Sequence, residues 1–172
     1  DETLVLFHAG RLTQVKNQWK LLDILQVLVS EKSKNVLLLI AGVGELHDEL
    51  VDYAAKLGVS KYVRFLGMRN DVNNLMQAAD LFLLPSFHEG FPVTIVEAQS
   101  AGLPCLVSAN LSREVDITNS VKFISIESDP EVWCKEIVCF DSEKRGNVSK
   151  LVKQYGYDIV DVAENFKTKL MS

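Results

Sequence analysis

Glu89 and Glu97 stand with seven residues between them in Ser86-Phe87-His88-Glu89-Gly90-Phe91-Pro92-Val93-Thr94-Ile95-Val96-Glu97-Ala98. The preceding Leu81-Phe82-Leu83-Leu84 is an apolar run closed by Pro85-Ser86, the pattern of an interior parallel strand ending in a turn. Gly90 permits a tight backbone path, and Pro92 suits a first helical turn, where its missing N–H costs nothing. The pattern predicts a helix from Pro92 to Ala101, with the amides of Val93 and Thr94 facing the strand's carboxyl end as an anion site. Glu89 then lies in the loop before that site, and Glu97 lies one turn into the helix. A carboxylate beside a phosphate is repelled unless hydroxyls donate hydrogen bonds to it, and sugar hydroxyls meet that condition. The chemistry is that of a site reading a phosphorylated sugar. The plain alternative is two solvated surface acids, the usual place of glutamate. Against it, Val93, Ile95, Val96, Ala98, Ala101 and Leu103 leave that helix few exposed positions.

A strand-helix alternation must position these groups. Strands are predicted over Leu4–His8, Val36–Ala41, Val63–Phe65, Leu81–Leu84, Cys105–Ser108 and Val121–Ile124. Helices are predicted over Asn17–Ser30, Glu45–Leu57, Asp71–Ala79, Pro92–Ala101, Pro130–Phe140, Glu143–Tyr155 and Ile159–Met171. This alternation implies an α/β fold, a doubly wound parallel sheet with helices on both faces and ligands at the strands' carboxyl ends. The candidate residues collect there: Gly10-Arg11 after the first strand, Gly42-Val43-Gly44 after the second, Gly67-Met68-Arg69 after the third, Glu89-Gly90-Phe91 after the fourth. Gly10 and Gly42 would let backbone approach a ligand closely. Arg11 and Lys16 bracket the first loop. There a guanidinium fork and an ammonium suit a diphosphate, although solvated surface cations are a common alternative.

Glu-Gly-Phe-Pro, Val-Glu-Ala-Gln and Ala101-Gly102-Leu103-Pro104-Cys105 closely resemble the nucleotide-sugar domain of GT-B-fold, retaining glycosyltransferases of family four (group 1). The ordered matches extend upstream to Gly10-Arg11-Leu12 with Lys16-Asn17, Ile40-Ala41-Gly42-Val43-Gly44, Val63-Arg64-Phe65-Leu66-Gly67 and Ala78-Ala79-Asp80. The resemblance implies transfer from a nucleoside-diphosphate sugar, taken as a UDP-sugar substrate, with retention and without a metal or other cofactor. By that likeness Glu97 takes the ribose hydroxyls, and Glu89 with the backbone of Gly90 and Phe91 holds the donor sugar. Arg11, Lys16 and the helix-start amides of Val93 and Thr94, on the helix that Pro92 opens, stabilise the leaving diphosphate. Backbone near Met68 and Arg69 reads the base. The likeness further implies a saccharide or lipid-linked acceptor bound by an amino-terminal domain that this chain lacks, so that the chain is an inactive donor-binding fragment. Peripheral membrane association of the intact enzyme and a role in surface polysaccharide synthesis follow from the same likeness. Tyr157–Ser172 resembles the family's closing helix, with Ile159, Val162, Phe166 and Leu170 on an apolar face.

Composition bounds the alternatives. The 172 residues, 48% of them hydrophobic, suffice for one domain with its own core. A net charge of −5 provides no footprint for nucleic acid. The amino terminus, Asp1-Glu2-Thr3, lacks a signal-peptide pattern and no apolar run reaches spanning length, so a soluble, cytoplasmic chain is expected. Cys105, Cys134 and Cys139 form no paired clusters and are read as structural, as are Trp19 and Trp133. His8, His47 and His88 are scattered without ligand spacing, and no metal is assigned. In Gly42-Val43-Gly44-Glu45-Leu46-His47 the third glycine of the dinucleotide fingerprint is replaced by His47, which argues against an NAD oxidoreductase and for a tight turn. A non-catalytic nucleotide-binding module and an epimerase-like enzyme remain as other classes.

Overall fold

The computed structural model describes residues 3–31 and 35–139. The helices expected over Glu143–Tyr155 and Ile159–Met171, and the apolar face of the latter, lie outside the described residues. In chain order the elements are β1 (Thr3–Ala9), α1 (Gln18–Glu31), β2 (Asn35–Ala41), α2 (His47–Lys56), β3 (Val63–Gly67), α3 (Val72–Ala78), β4 (Leu81–Leu84), α4 (Val93–Ser100), β5 (Cys105–Ser108), β6 (Val121–Ile124) and α5 (Pro130–Val138). Single 3-10 turns occur at Gln14–Lys16, Ser60–Tyr62 and Arg113–Val115.

All six expected strands form one parallel sheet in the order β3-β2-β1-β4-β5-β6. Every residue of β4 and β5 is buried, as the apolar runs Leu81–Leu84 and Cys105–Val107 require in a sheet covered on both faces. On one face Leu21, Leu22, Leu25 and Leu28 of α1, at helical spacing, pack with α2, α5 and Leu4, Leu6 and Leu38 of the sheet. On the other face α3 and α4 bring Met76, Ile95 and Ala98 against Phe7, Phe82 and Val107. The strand order reverses between β1 and β4, the kind of position at which open α/β sheets bind ligands beyond the strands' carboxyl ends.

Two of the helix starts that differ from expectation do so for evident local reasons. α4 begins at Val93, because Pro92 (φ −77°, ψ 85°) is the centre of a three-residue turn in which the Val93 N–H donates to the Phe91 carbonyl at 2.9 Å. The Val93 amide is therefore engaged within the chain and is not the open anion donor that the sequence suggested. α2 begins at His47 instead of Glu45, because the chain at Leu46 first donates to the Leu12 carbonyl at 3.3 Å. Trp133 is fully buried, Trp19 packs edge-on against Tyr53, and Cys105 and Cys134 are core residues. Cys139 is exposed just beyond α5 and takes no part in the core.

Candidate functional site

The loops after β1 and β4 are stitched together at the strand-order reversal. The Phe87 N–H donates to the Val15 carbonyl at 2.9 Å, and Asn17 Nδ2 donates to the Pro85 carbonyl at 3.2 Å. Asn17 is in the left-handed region (φ 53°, ψ 48°), a conformation Asn tolerates better than most residues, and it ends the Gln14–Lys16 turn. That turn delivers Lys16 Nζ to Glu89 Oε1 at 2.7 Å, and Ser86 Oγ donates to the same oxygen at 2.6 Å. The Lys16 and Glu89 side chains are only 20% and 12% exposed, so the pair is shielded enough to hold its geometry. Both donors meet one carboxylate oxygen.

Beside this pair opens a cavity of about 640 Å³, within the range of small-molecule sites. Gly10, Arg11, Gly42 and Gly44 line one side, Met68, Arg69 and Val72 a second, and Thr94 and Glu97 of α4 a third. The loops after β1, β2 and β3 continue the parallel ladder past the strand ends: Gly10 N–H to Ala41 O at 3.0 Å, Leu12 N–H to Val43 O at 3.1 Å, Gly42 N–H to Gly67 O at 2.8 Å. A Cβ on Gly42 (φ +140°) would lie 1.9 Å from the Gly10 carbonyl oxygen, and one on Gly44 would lie 2.2 Å from that of Leu12. These glycines are demanded by the approach of one loop's backbone to its neighbour's, beyond the tight turn read from the sequence.

Arg11 is exposed, with only a long contact of 3.8 Å to Glu45. Arg69 is taken up by a two-point pair with Asp71 (Nε to Oδ1 2.8 Å, Nη2 to Oδ2 2.6 Å), which raises its own pKa and lowers that of Asp71. Arg69 therefore brings no unpaired charge to the cavity. Met68 is 76% exposed at the rim. Glu97 lies on the exposed side of α4, while the Thr94 hydroxyl oxygen is buried on the cavity wall without a protein partner.

The structure thus gathers Gly10, Arg11, Gly42, Met68, Arg69, Thr94 and Glu97 around one cavity. It places Lys16 with Glu89 beside it: a Cβ on Gly10 would touch the Lys16 chain at 3.4 Å. Gly90 and Phe91 are exposed on the loop, Pro92 is buried, and none of the three, nor Val93, lines the cavity. His88 is exposed. The sequence reading missed Ser86, Asn17 and Gln18 as parts of the site. Ser86 and Asn17 stood within the quoted motifs without a role, and the only signal for Gln18 was a polar residue at a helix start. Among the described residues, no group of three or more His, Cys, Asp or Glu is placed to hold a metal ion, and no helix is long and apolar enough to cross a membrane.

The chain is 33% identical over 161 residues to EpsF of Bacillus subtilis (strain 168), covering 91% of this chain and 42% of that protein. It is 30% identical over 174 residues to the UDP-Gal:alpha-D-GlcNAc-diphosphoundecaprenol alpha-1,3-galactosyltransferase of Escherichia coli, covering 96% of this chain and 44% of the other. The crystal structure of WaaG, a glycosyltransferase involved in lipopolysaccharide biosynthesis, superposes with a TM-score of 0.74 at 27% identity, over 89% of this chain and 42% of that one. The chain therefore spans less than half the length of these relatives. A family profile described as "Glycosyl transferases group 1" matches residues 1–140. Together with the likeness of the fold to WaaG, this establishes that the chain belongs to the group 1 glycosyltransferase family.

Proposed function

We propose that this chain is the donor-binding domain of a retaining, metal-independent glycosyltransferase that takes a UDP-sugar. The observation that carries the reading is the shielded Lys16–Glu89 pair at the strand-order reversal, beside a cavity walled by Thr94 and Glu97. Glu97 accepts hydrogen bonds from the ribose hydroxyls, and backbone at Met68 and Arg69 meets the base. Glu89, with one oxygen held by Lys16 and Ser86, directs the other to a hydroxyl of the donor sugar, aided by Gly90 and Phe91. As the bond from the anomeric carbon to the diphosphate breaks, negative charge grows on the phosphate oxygens. Arg11, Lys16 and the start of α4, through Thr94 instead of the engaged Val93 amide, stabilise it in the transition state. The acceptor oxygen bonds to the same face of the anomeric carbon, and its proton passes to the departing phosphate, so no protein nucleophile is required. The relative named for UDP-Gal and a diphosphoundecaprenol acceptor supports the choice of UDP and of a lipid-linked or saccharide acceptor. Surface polysaccharide synthesis on the cytoplasmic side of a membrane is the setting that suits such an acceptor. On this reading the acceptor is bound outside these 172 residues, which by themselves are expected to bind donor and transfer little sugar.

Calorimetric titration with UDP, GDP, ADP and NAD tests the reading. UDP should bind, and Glu97→Ala should weaken it by about 1.5–3 kcal/mol, the scale of hydrogen bonds to a charged group. Binding of NAD alone, or UDP binding untouched by the substitution, would overturn it.

A further inference from the structure

His8 and Gln18 form a fully buried polar pair next to the site, in positions where an apolar side chain would be the ordinary occupant. His8 Nδ1 lies 2.9 Å from the Leu83 carbonyl oxygen, which only accepts, so Nδ1 carries the proton. In a neutral ring this leaves Nε2 as an acceptor, and Gln18 Nε2 stands 3.1 Å from it. The same Gln18 nitrogen donates to the Arg11 carbonyl at 2.9 Å. Both amide hydrogens are therefore used, and the reversed amide would set its oxygen against two acceptors. Gln18 Oε1 is buried without a protein partner, a penalty that a residue serving only to fill the core would avoid. Burial keeps His8 neutral, with its pKa drawn down to about 4, while the charged groups nearest to it, Lys16 and Glu89, oppose one another.

We propose that Gln18 is a positioning residue for the loop that carries Arg11 and Lys16: its carboxamide, oriented by the Nε2 lone pair of His8, clamps the Arg11 carbonyl. The clamp closes a chain of contacts from β4 through β1 to α1 and back to the loop. Gly10 lies beside it, where a Cβ would make ordinary van der Waals contact with both His8 Nε2 and Lys16 Cε at 3.4 Å. The inference rests on the diphosphate reading of Arg11 and Lys16 for its consequence, and on the hydrogen-bond geometry for the clamp itself.

The test compares UDP with uridine, because only the former calls on the cationic loop. Gln18→Leu should lower UDP affinity about tenfold and leave uridine affinity unchanged. In an Arg11→Ala/Lys16→Ala background the same substitution should have almost no further effect on UDP. Equal losses for UDP and uridine, or full additivity with the double substitution, would reduce Gln18 to a packing residue and overturn the proposal. The clamp is also read without nucleotide. Nitrogen-15 NMR of the unsubstituted chain should show His8 neutral at pH 7 with Nδ1 protonated, and the amides of Leu12, Lys16 and Asn17 should exchange faster in Gln18→Leu. An Nε2-protonated ring or unchanged exchange would sink the clamp, whereas failure of the unsubstituted chain to bind UDP would sink only the donor reading.

Discussion

Loss of hydration in the core outweighs the pull of the Leu83 carbonyl on a protonated ring, and the His8 pKa falls from the ordinary 6.5 to about 4. Between those values the unfolded chain binds more protons than the folded one. His8 therefore contributes its full stabilisation above about pH 6.5, and this is lost progressively down to about pH 4, a difference of about 3 kcal/mol. Urea denaturation at pH 7 and at pH 4.5 should show the fall, and His8→Gln should show a clearly smaller one. Equal falls in the two proteins would mean that carboxylates alone drive the change. At this scale the sequence was only partly legible. Glu89 and Glu97 stood out by type and spacing, and Arg11 and Lys16 by their place relative to those glutamates and by the family resemblance, but His8 was one of three scattered histidines and Gln18 an unremarked helix-start residue. Their roles depend on burial and on which carbonyl faces which nitrogen, and neither leaves a trace in residue order.

The short helix α4 carries Thr94 and Glu97, and its placement depends on Gln99 as much as on its apolar face. Gln99 is fully buried, donating to the carbonyls of Ile95 at 3.2 Å and Val115 at 2.6 Å. Its oxygen accepts from the amides of Ile117 at 2.9 Å and Thr118 at 3.1 Å and from the Thr118 hydroxyl at 2.9 Å. One side chain thus ties α4 to the segment between β5 and β6. Gln99→Leu keeps the volume but strips partners from several buried backbone groups, and should cost about 3 kcal/mol in chemical denaturation. A cost under about 1 kcal/mol would show that the segment repairs its bonds by shifting. The strands and helices of the described residues were readable to within two or three residues at their ends, because apolar runs and helical stripes are local signals. The start of α4 was not, since Pro92 suits a tight turn as well as a first helical residue, and the Val93–Phe91 bond decides between them.

At the scale of the molecule, the cavity exists only when three separate strand-end loops and α4 are assembled, so a ligand filling it binds the folded chain alone. UDP at a hundred times its dissociation constant should then add about 2.7 kcal/mol of stability. For a chain of this length that is a rise of about 5–10 °C in Tm. Differential scanning calorimetry with and without UDP checks this, and an unchanged Tm at saturation would mean that the nucleotide does not select the folded state. The sequence by itself determined the alternation of strands and helices, the parallel character of a sheet buried on both faces, and the inventory of glycines, cations and carboxylates at strand ends. These are consequences of local periodicity and of residue type. Only the tertiary structure decided that β1 lies beside β4, which brings Lys16 to Glu89 across 73 residues, and that Gly42 and Gly44 serve the packing of one loop on another. Strand order and loop contact arise from how the two layers of helices close over the sheet, a balance of many distant contacts that no stretch of residues encodes alone.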